Sequence, residues 1–127
     1  MPDSPDNPLG AVGRVFGLGV REPTFEEGEG VRWEARANRL QQKVRVAGGR
    51  IYLTNRRLVF APHKFEEKTG GRAWSARLAD LDRAFVGGPL TVRIVGSDGE
   101  KQRFVIGRRV ESAATIDAAI QAAKAIT

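Results

Sequence analysis

A basic cluster between residues 39 and 45 carries the clearest chemistry in this chain of 127 residues. Lys43 and Arg45 stand two apart in an alternating segment, so on a strand both side chains project from one face, and Arg39 approaches them from a loop. Guanidinium groups bind phosphate oxygens through paired hydrogen bonds, which makes the cluster a candidate site for an anionic ligand. The same spacing also fits the solvated face of an ordinary charged strand, and the pattern leaves both interpretations open.

Other basic residues could extend this cluster, because positive charge is concentrated in one part of the chain. Residues 31–60 carry eight basic residues and a single glutamate, whereas residues 1–30 carry six acidic residues and two arginines. Arg56 and Arg57 fall at the tip of a predicted hairpin, and Lys64 follows in the next loop. This distribution predicts a basic face that meets an anionic partner or the chain's own acidic leader. For Arg56 and Arg57, the simpler alternative is that they only keep the hairpin turn soluble.

The residues needed for most catalytic chemistry are missing. There is no cysteine and one histidine, His63, which excludes disulfide scaffolds, thiol nucleophiles, cysteine zinc sites and multi-histidine metal clusters built from this chain alone. Asp80 and Asp82 stand two apart and would share a strand face as paired carboxylates do, yet no phosphate-binding loop or dinucleotide motif accompanies them. We therefore expect a protein that is not an enzyme and that uses no cofactor and no metal.

Partners and location are constrained by the aromatic residues and by hydropathy. The net charge of +6 permits nucleic-acid binding, but Trp33 and Trp74 fall on the apolar sides of their strands, so no stacking platform is predicted. Phe65 is predicted to be exposed in a basic loop. No stretch approaches the roughly 20 apolar residues that span a bilayer. The acidic, proline-rich start does not resemble a signal peptide, which favours a cytoplasmic protein.

Hydrophobic periodicity predicts a mainly β protein with one helix. Alternation of period two predicts strands at 31–37, 43–46, 50–54, 58–61, 74–78, 90–94 and 102–106. Gly48-Gly49 separates the second strand from the third, Asn55 marks a tight hairpin turn, and Asp98-Gly99 marks another. The period then changes to 3.6, which predicts an amphipathic helix over 112–126 with Ser112 as its N-cap.

The predicted organisation is a leader at residues 1–24 and one domain at 25–127. The leader is expected to be flexible or loosely docked, because three prolines within its first eight residues and four glycines after them interrupt it. In the domain, about seven short antiparallel strands form a strongly bent sheet, and the C-terminal helix plugs its open end.

The stretch GRIYLTNRRLVF at residues 49–60 resembles the signature of GRAM domains, which belong to the pleckstrin-homology-like superfold. Three weaker matches lie where that family would place them, namely residues 26–29 before the first strand, residues 76–81, and Asp98-Gly99 before a phenylalanine-containing strand. The resemblance covers about residues 25–125 and is closest to small stand-alone bacterial members.

The resemblance implies a seven-stranded, partly open barrel capped by a helix, with a non-catalytic role. Members of the superfold bind phospholipid, often phosphoinositide, or bind protein. Many grip inositol phosphates through the first hairpin with a lysine, a loop and a basic-x-arginine pair. Arg39 followed by Lys43-Val44-Arg45 is similar to this pattern, with an arginine in place of the first lysine.

The resulting hypothesis is peripheral binding of anionic phospholipid through six residues, Arg39, Lys43, Arg45, Arg56, Arg57 and Lys64. The alternative is a protein-interaction module that binds a peptide or a subunit at a sheet edge or beside the helix, homo-oligomers included. A small-molecule substrate is not expected. Headgroup preference and oligomeric state do not follow from the sequence.

Overall fold

A computed structural model describes residues 23–41, 45–64 and 71–126. Within these ranges, the chain forms seven strands, a 3₁₀ turn at Leu78–Asp80 and a C-terminal helix. The elements are β1 (Val31–Gln41), β2 (Arg45–Thr54), β3 (Arg57–Pro62), β4 (Trp74–Arg77), β5 (Leu81–Val86), β6 (Thr91–Gly96), β7 (Lys101–Ile106) and α1 (Arg109–Ala125). Residues 1–22 of the predicted leader lie outside the described residues, as do Lys43 and Phe65.

The strands form one antiparallel sheet in the order β4-β3-β2-β1-β7-β6-β5. The long strand β1 is central, because it pairs with β2 along its length and with β7 over Ala37–Arg39. The edge strands β4 and β5 pair on one side only, and α1 packs mainly against β5. This architecture confirms the prediction of a mainly β, seven-stranded fold with one C-terminal helix, and it is consistent with a pleckstrin-homology-like fold.

The core lies on the inner face of the sheet, where alternate residues of each strand converge. Phe104 packs against Phe60 and Trp74 with ring centroids 5.6 and 5.7 Å away. Ile116 and Ile120 of α1 complete the cluster and are fully buried. Trp33 and Trp74 both pack against this cluster, which confirms their predicted place in the core.

The predicted and observed sheets both have seven strands, but the agreement in number hides two errors: two predicted strands form one, and one strand was missed. The glycines at 48 and 49 do not separate two strands, because β2 runs without a break from Arg45 to Thr54. At Gly49 the neighbouring strand β3 comes so close that a Cβ would lie 2.8 Å from the Cα of Pro62. This glycine therefore marks a close approach of two backbones inside a strand.

The strand that the sequence analysis missed is β5. A register shift between Leu81 and Arg83 interrupts its pairing with β6, so the buried residues Leu81 and Ala84 stand three apart. A β-bulge of this kind removes the period-two alternation by which a strand is recognised.

The helix begins three residues before its predicted start. Its N-cap is Arg108, which has a left-handed backbone with φ of 51°, and Ser112 lies inside the helix as a buried residue. The hydroxyl of Ser112 donates a hydrogen bond to the Gly107 carbonyl at 2.9 Å. The prediction that Ser112 is the N-cap was therefore wrong, because its hydroxyl fixes the turn before the helix instead. The side chain of Asp117 accepts a hydrogen bond from the Ala84 N–H at 3.0 Å and joins α1 to β5.

We predict that Gly49→Ala lowers the free energy of unfolding by about 2 kcal/mol or more, because the added methyl group collides with the backbone of β3. Urea denaturation monitored by tryptophan fluorescence measures this change. Gly107→Ala is the matched control, since nothing lies within 4 Å of a Cβ at that position. Equal stability of the two variants would contradict the close-approach argument.

Candidate anion-binding site

Three of the six predicted site residues, Arg39, Arg45 and Lys64, lie at the end of the sheet that carries the β1–β2 loop. Arg39 lies two residues before the end of β1, and Arg45 begins β2 opposite Gln41. Lys64 follows β3 and is exposed, and Lys43 lies outside the described residues. We call these four residues (Arg39, Lys43, Arg45 and Lys64) the β1–β2 cluster.

The remaining two predicted residues lie at the other end of β2. Arg56 belongs to the β2–β3 turn and Arg57 begins β3. Strand β2 spans ten residues, so roughly 30 Å of extended chain separates this turn from the β1–β2 loop. The six residues therefore do not form one continuous patch.

The guanidinium group of Arg39 is half-buried and is held by neutral oxygen atoms. Its Nε and Nη2 donate to Gln102 Oε1 at 3.1 and 3.0 Å, and its Nη1 donates to the Arg72 carbonyl at 3.2 Å. Burial lowers the pKa of Arg39, and the negative charge of Glu100 offsets part of that effect. Arg39 forms no ion pair with a carboxylate of the described residues, which leaves a partly desolvated positive charge that an anion would stabilise.

The loop between β3 and β4 is attached to the same place. The Arg72 N–H donates to Gln41 Oε1 at 2.9 Å, while the Arg72 carbonyl accepts from Arg39. The exposed side chains of Arg72 and Lys64 likewise form no ion pair with a carboxylate of the described residues. Positive charge without a paired carboxylate therefore accumulates at this end of the sheet.

Arg57 has a different environment, because it forms an ion pair with a buried carboxylate. Its Nη2 lies 2.8 Å from Glu29 Oε1 and its Nε donates to Glu29 Oε2 at 2.9 Å. The Thr54 hydroxyl donates to Glu29 Oε2 at 2.7 Å, and the Glu26 N–H donates to Oε1 at 2.9 Å. Burial alone would raise the pKa of Glu29, but the hydrogen bonds from Arg57, Thr54 and Glu26 outweigh it and lower the pKa to about 2.

Neighbouring residues of the same turn hold the segment that precedes β1. The Asn55 side chain accepts from the Gly30 N–H at 2.9 Å and donates to the Gly28 carbonyl at 3.1 Å. The exposed Arg56 lies 3.4 Å from a carboxylate oxygen of Glu26. All four residues of the sequence TNRR at 54–57 therefore bind the segment that precedes β1. The sequence analysis anticipated a contact between basic and acidic parts of the chain but did not identify these partners.

Of the two aspartates considered for catalysis, Asp82 uses its carboxylate in a structural contact, whereas the contact of Asp80 with Ser97 is made by its backbone carbonyl. Asp82 forms an ion pair with Lys124 at 3.0 Å, and the Asp80 carbonyl accepts from the Ser97 hydroxyl at 2.9 Å. Among the described residues, no group of three or more histidine, aspartate or glutamate side chains could hold a metal ion. No helix in those ranges has the length and apolar character needed to cross a membrane.

Two arginines that were not among the candidates face each other on the outer surface of the sheet. Arg36 of β1 is directly opposite Arg50 of β2 in register. Their positions were visible as alternating charges in the sequence, but the pairing register that brings them together was not.

Comparison with known proteins identifies the fold. No family model matches the chain, and no curated protein does. Among solved structures, the C-terminal domain of an unknown protein from Leishmania infantum is similar with a TM-score of 0.65 and 8% identity, covering 89% of this chain and 97% of that one. The N-terminal PH domain of human ARAP2 is similar with a TM-score of 0.53 and 10% identity, covering 82% and 85%.

A third similar structure is a DH/PH fragment of PDZRHOGEF in complex with human RhoA. Its TM-score is 0.57 at 14% identity, and the match covers 95% of this chain but only 34% of that chain. The DH/PH domains of p115-RhoGEF match similarly, and this chain covers 31% of them. These likenesses show a pleckstrin-homology-like fold.

We predict that Arg57→Ala lowers the free energy of unfolding by about 3–5 kcal/mol, because it leaves the buried Glu29 carboxylate without its cation. Arg56→Ala removes an exposed ion pair and is expected to cost less than about 1 kcal/mol. Urea denaturation at neutral pH compares the two variants. Similar losses of unfolding free energy in both variants would contradict a larger contribution from the buried Glu29–Arg57 pair.

The same pair predicts an acid-sensitive contribution to stability. The pKa of Glu29 is about 2 in the folded protein and near its ordinary value of 4.5 in the unfolded chain, so its contribution is complete above pH 4.5. It is lost as the pH falls from 4.5 towards 2, by about 3 kcal/mol in all. Thermal unfolding across this range should show a smaller pH dependence for Glu29→Gln than for the unaltered protein. An identical dependence would contradict the assignment.

Proposed function

We propose that this protein is a non-catalytic binding module that attaches peripherally to anionic phospholipid through the β1–β2 cluster. The observation that carries the proposal is the half-buried Arg39 guanidinium, whose described hydrogen-bond partners are all neutral oxygens. A phosphate group at this position would pair directly with the guanidinium, which no carboxylate of the described residues does.

The neighbouring residues support an anionic surface as the partner. Arg72, whose carbonyl accepts from Arg39, is exposed, and so is Lys64, which follows β3; Arg45 begins the strand adjacent to β1. Lys43 lies in the loop between β1 and β2, where the sequence places it within the same cluster. Arg56 and Arg57 are left out of the proposed site, because Glu26 and Glu29 neutralise them.

Each basic residue near an anionic membrane contributes about 1 kcal/mol of attraction, so four or five give weak and salt-sensitive attachment. The attraction decays over about 10 Å at moderate ionic strength. The proposal therefore describes a reversible peripheral protein, with the cytoplasm as its expected location. The resemblance to GRAM domains points to the same class of ligand and is part of the proposal.

Co-sedimentation with vesicles tests this function. Phosphatidylcholine vesicles with added phosphatidylserine should bind the protein, and pure phosphatidylcholine vesicles should not. The triple variant Arg39→Ala, Lys43→Ala, Arg45→Ala should reduce binding on the order of a hundredfold, from about 1 kcal/mol for each lost charge. The double variant Lys43→Ala, Arg45→Ala keeps the Arg39 hydrogen bonds and should lose about tenfold or more.

A second triple variant is the matched control. Arg32→Ala, Arg56→Ala, Arg77→Ala removes the same charge from exposed residues outside the cluster, and we expect binding within about threefold of the unaltered protein. Equal losses of vesicle binding in both triple variants would show that the net charge of the protein, and not the β1–β2 cluster, determines binding. Equal sedimentation with neutral and anionic vesicles would refute lipid binding through this cluster.

One observation favours a protein partner as the second candidate. The edges of β4 and β5 do not pair with each other, and a cleft of about 310 Å³ lies between them. Trp74, Leu81 and Ile94 line it beside the acidic residues Asp80 and Glu100. An extended basic peptide could add to the β4 edge and place its side chains in this cleft. This candidate gains weight if anionic vesicles fail to bind the protein even at low salt.

A further inference from the structure

The outer surface of the sheet carries a depression that the proposed lipid site does not use. It has a volume of about 510 Å³ and lies where β1, β2 and β7 adjoin, beside the residue that follows β3. Its side-chain lining comes from Arg36, Asn38, Arg50, His63 and Val105. We call this depression the trough. Residues of β1 alternate between faces, so Arg36 and Asn38 point outwards while Ala37 between them is buried.

The trough has an excess of positive charge. Arg36 and Arg50 are directly opposite each other in the β1–β2 register, an arrangement of like charges that destabilises a sheet. The nearest described counter-charge is Glu34, which lies 3.5 Å from Arg50 Nη2. Arg36 is exposed and forms no ion pair or hydrogen bond through its side chain with the described residues. One carboxylate therefore faces two guanidinium groups.

The trough is kept open by a glycine. Gly48 is opposite Asn38 in register, and a Cβ there would come within 3.2 Å of Asn38 Oδ1 and 3.3 Å of His63 Cδ2. The His63 N–H donates to the Gly48 carbonyl at 2.9 Å, which fixes the backbone of the residue that follows β3. The side chains of Asn38 and His63 thus occupy the space into which any side chain at position 48 would project.

We propose that the trough binds a phosphate monoester, with Arg36 and Arg50 as the residues that contact it. Two guanidinium groups on adjacent strands can each donate paired hydrogen bonds to phosphate oxygens, and a dianion removes the repulsion between them. Asn38 and His63 supply further donors at the side of the bound group. The site goes beyond the lipid proposal, because these residues lie on the face of β1 opposite to Ala37 and the core.

The source of the phosphate is either a lipid headgroup or a soluble molecule. The residues that border the trough allow an experiment to distinguish the two. Val105 and Gly107 also border a second depression, which contains Leu90 and Val110. These two apolar side chains are 64% and 62% exposed. A membrane that presents its headgroup to the trough would contact them, whereas a soluble phosphate would not.

Titration with inorganic phosphate at constant ionic strength tests the site, with ¹⁵N–¹H NMR as the readout. We expect the amide signals of Asn38, Gly48 and Arg50 to shift in a saturable way. Arg36→Ala should weaken phosphate binding about tenfold, since it removes charge-assisted hydrogen bonds. Gly48→Ala should also weaken it, because the methyl group displaces Asn38 and His63 while the charge is unchanged.

Arg32→Ala is the matched control for Arg36→Ala, because Arg32 is an exposed arginine of the same strand that does not line the trough. We expect its phosphate affinity to stay within twofold of the unaltered protein. Equal weakening by Arg32→Ala and Arg36→Ala, or phosphate-induced shifts that avoid Asn38 and Gly48, would overturn the proposal. The Lys43→Ala, Arg45→Ala variant should titrate normally, so failure of the lipid site and failure of the trough are distinguishable.

Vesicles containing phosphatidic acid, a phosphate monoester, separate the two sources. Binding that falls with Arg36→Ala and with Leu90→Ser, Val110→Ser assigns the trough to a lipid headgroup. Phosphate binding that needs Arg36, together with vesicle binding that ignores both variants, assigns it to a soluble phosphate. Both outcomes support the site, whereas Arg36→Ala without effect in either assay refutes it.

Discussion

The buried ion pair between Glu29 and Arg57 is the constraint on which the arrangement of charge depends. Glu29 is held by Arg57, by the Thr54 hydroxyl and by a backbone N–H, so the segment before β1 is attached to the β2–β3 turn. Because an unpaired carboxylate could not remain buried, Arg57 is required for the stability of the fold. At the opposite end of the sheet, Arg39 and Lys64 form no ion pair with a carboxylate of the described residues.

This division explains why a run of basic residues in the sequence separates into different roles. Arg57 stabilises the fold, whereas Arg39 is half-buried among neutral oxygens and keeps a charge that an anion would stabilise. The difference follows from where the acidic residues lie. Glu26 and Glu29 precede β1 and meet the β2–β3 turn, so their charge reaches one end of the sheet only.

The fold could be predicted from the sequence, and the site only in part. Alternation revealed β1, β3, β4, β6 and β7, and the change of period revealed the helix, because single-face burial determines those patterns. The bulge at Leu81 concealed β5, since its buried residues fall out of alternation. The opposition of Arg36 and Arg50 is a matter of pairing register, which local patterns do not encode. The partner of Arg57 lies 28 residues away and was equally hidden.

Adjacent glycines in β2 show how one strand serves both faces of the sheet. Gly49 lets the backbone of β3 approach closely, whereas Gly48 leaves room for Asn38 and His63 on the outer surface. Since successive residues of a strand face opposite sides, the two requirements fall on neighbouring positions without conflict. A side chain at Gly49 disturbs strand packing, and one at Gly48 meets only flexible polar groups. The stability of the sheet and the anion binding proposed for the trough therefore depend on different residues of β2.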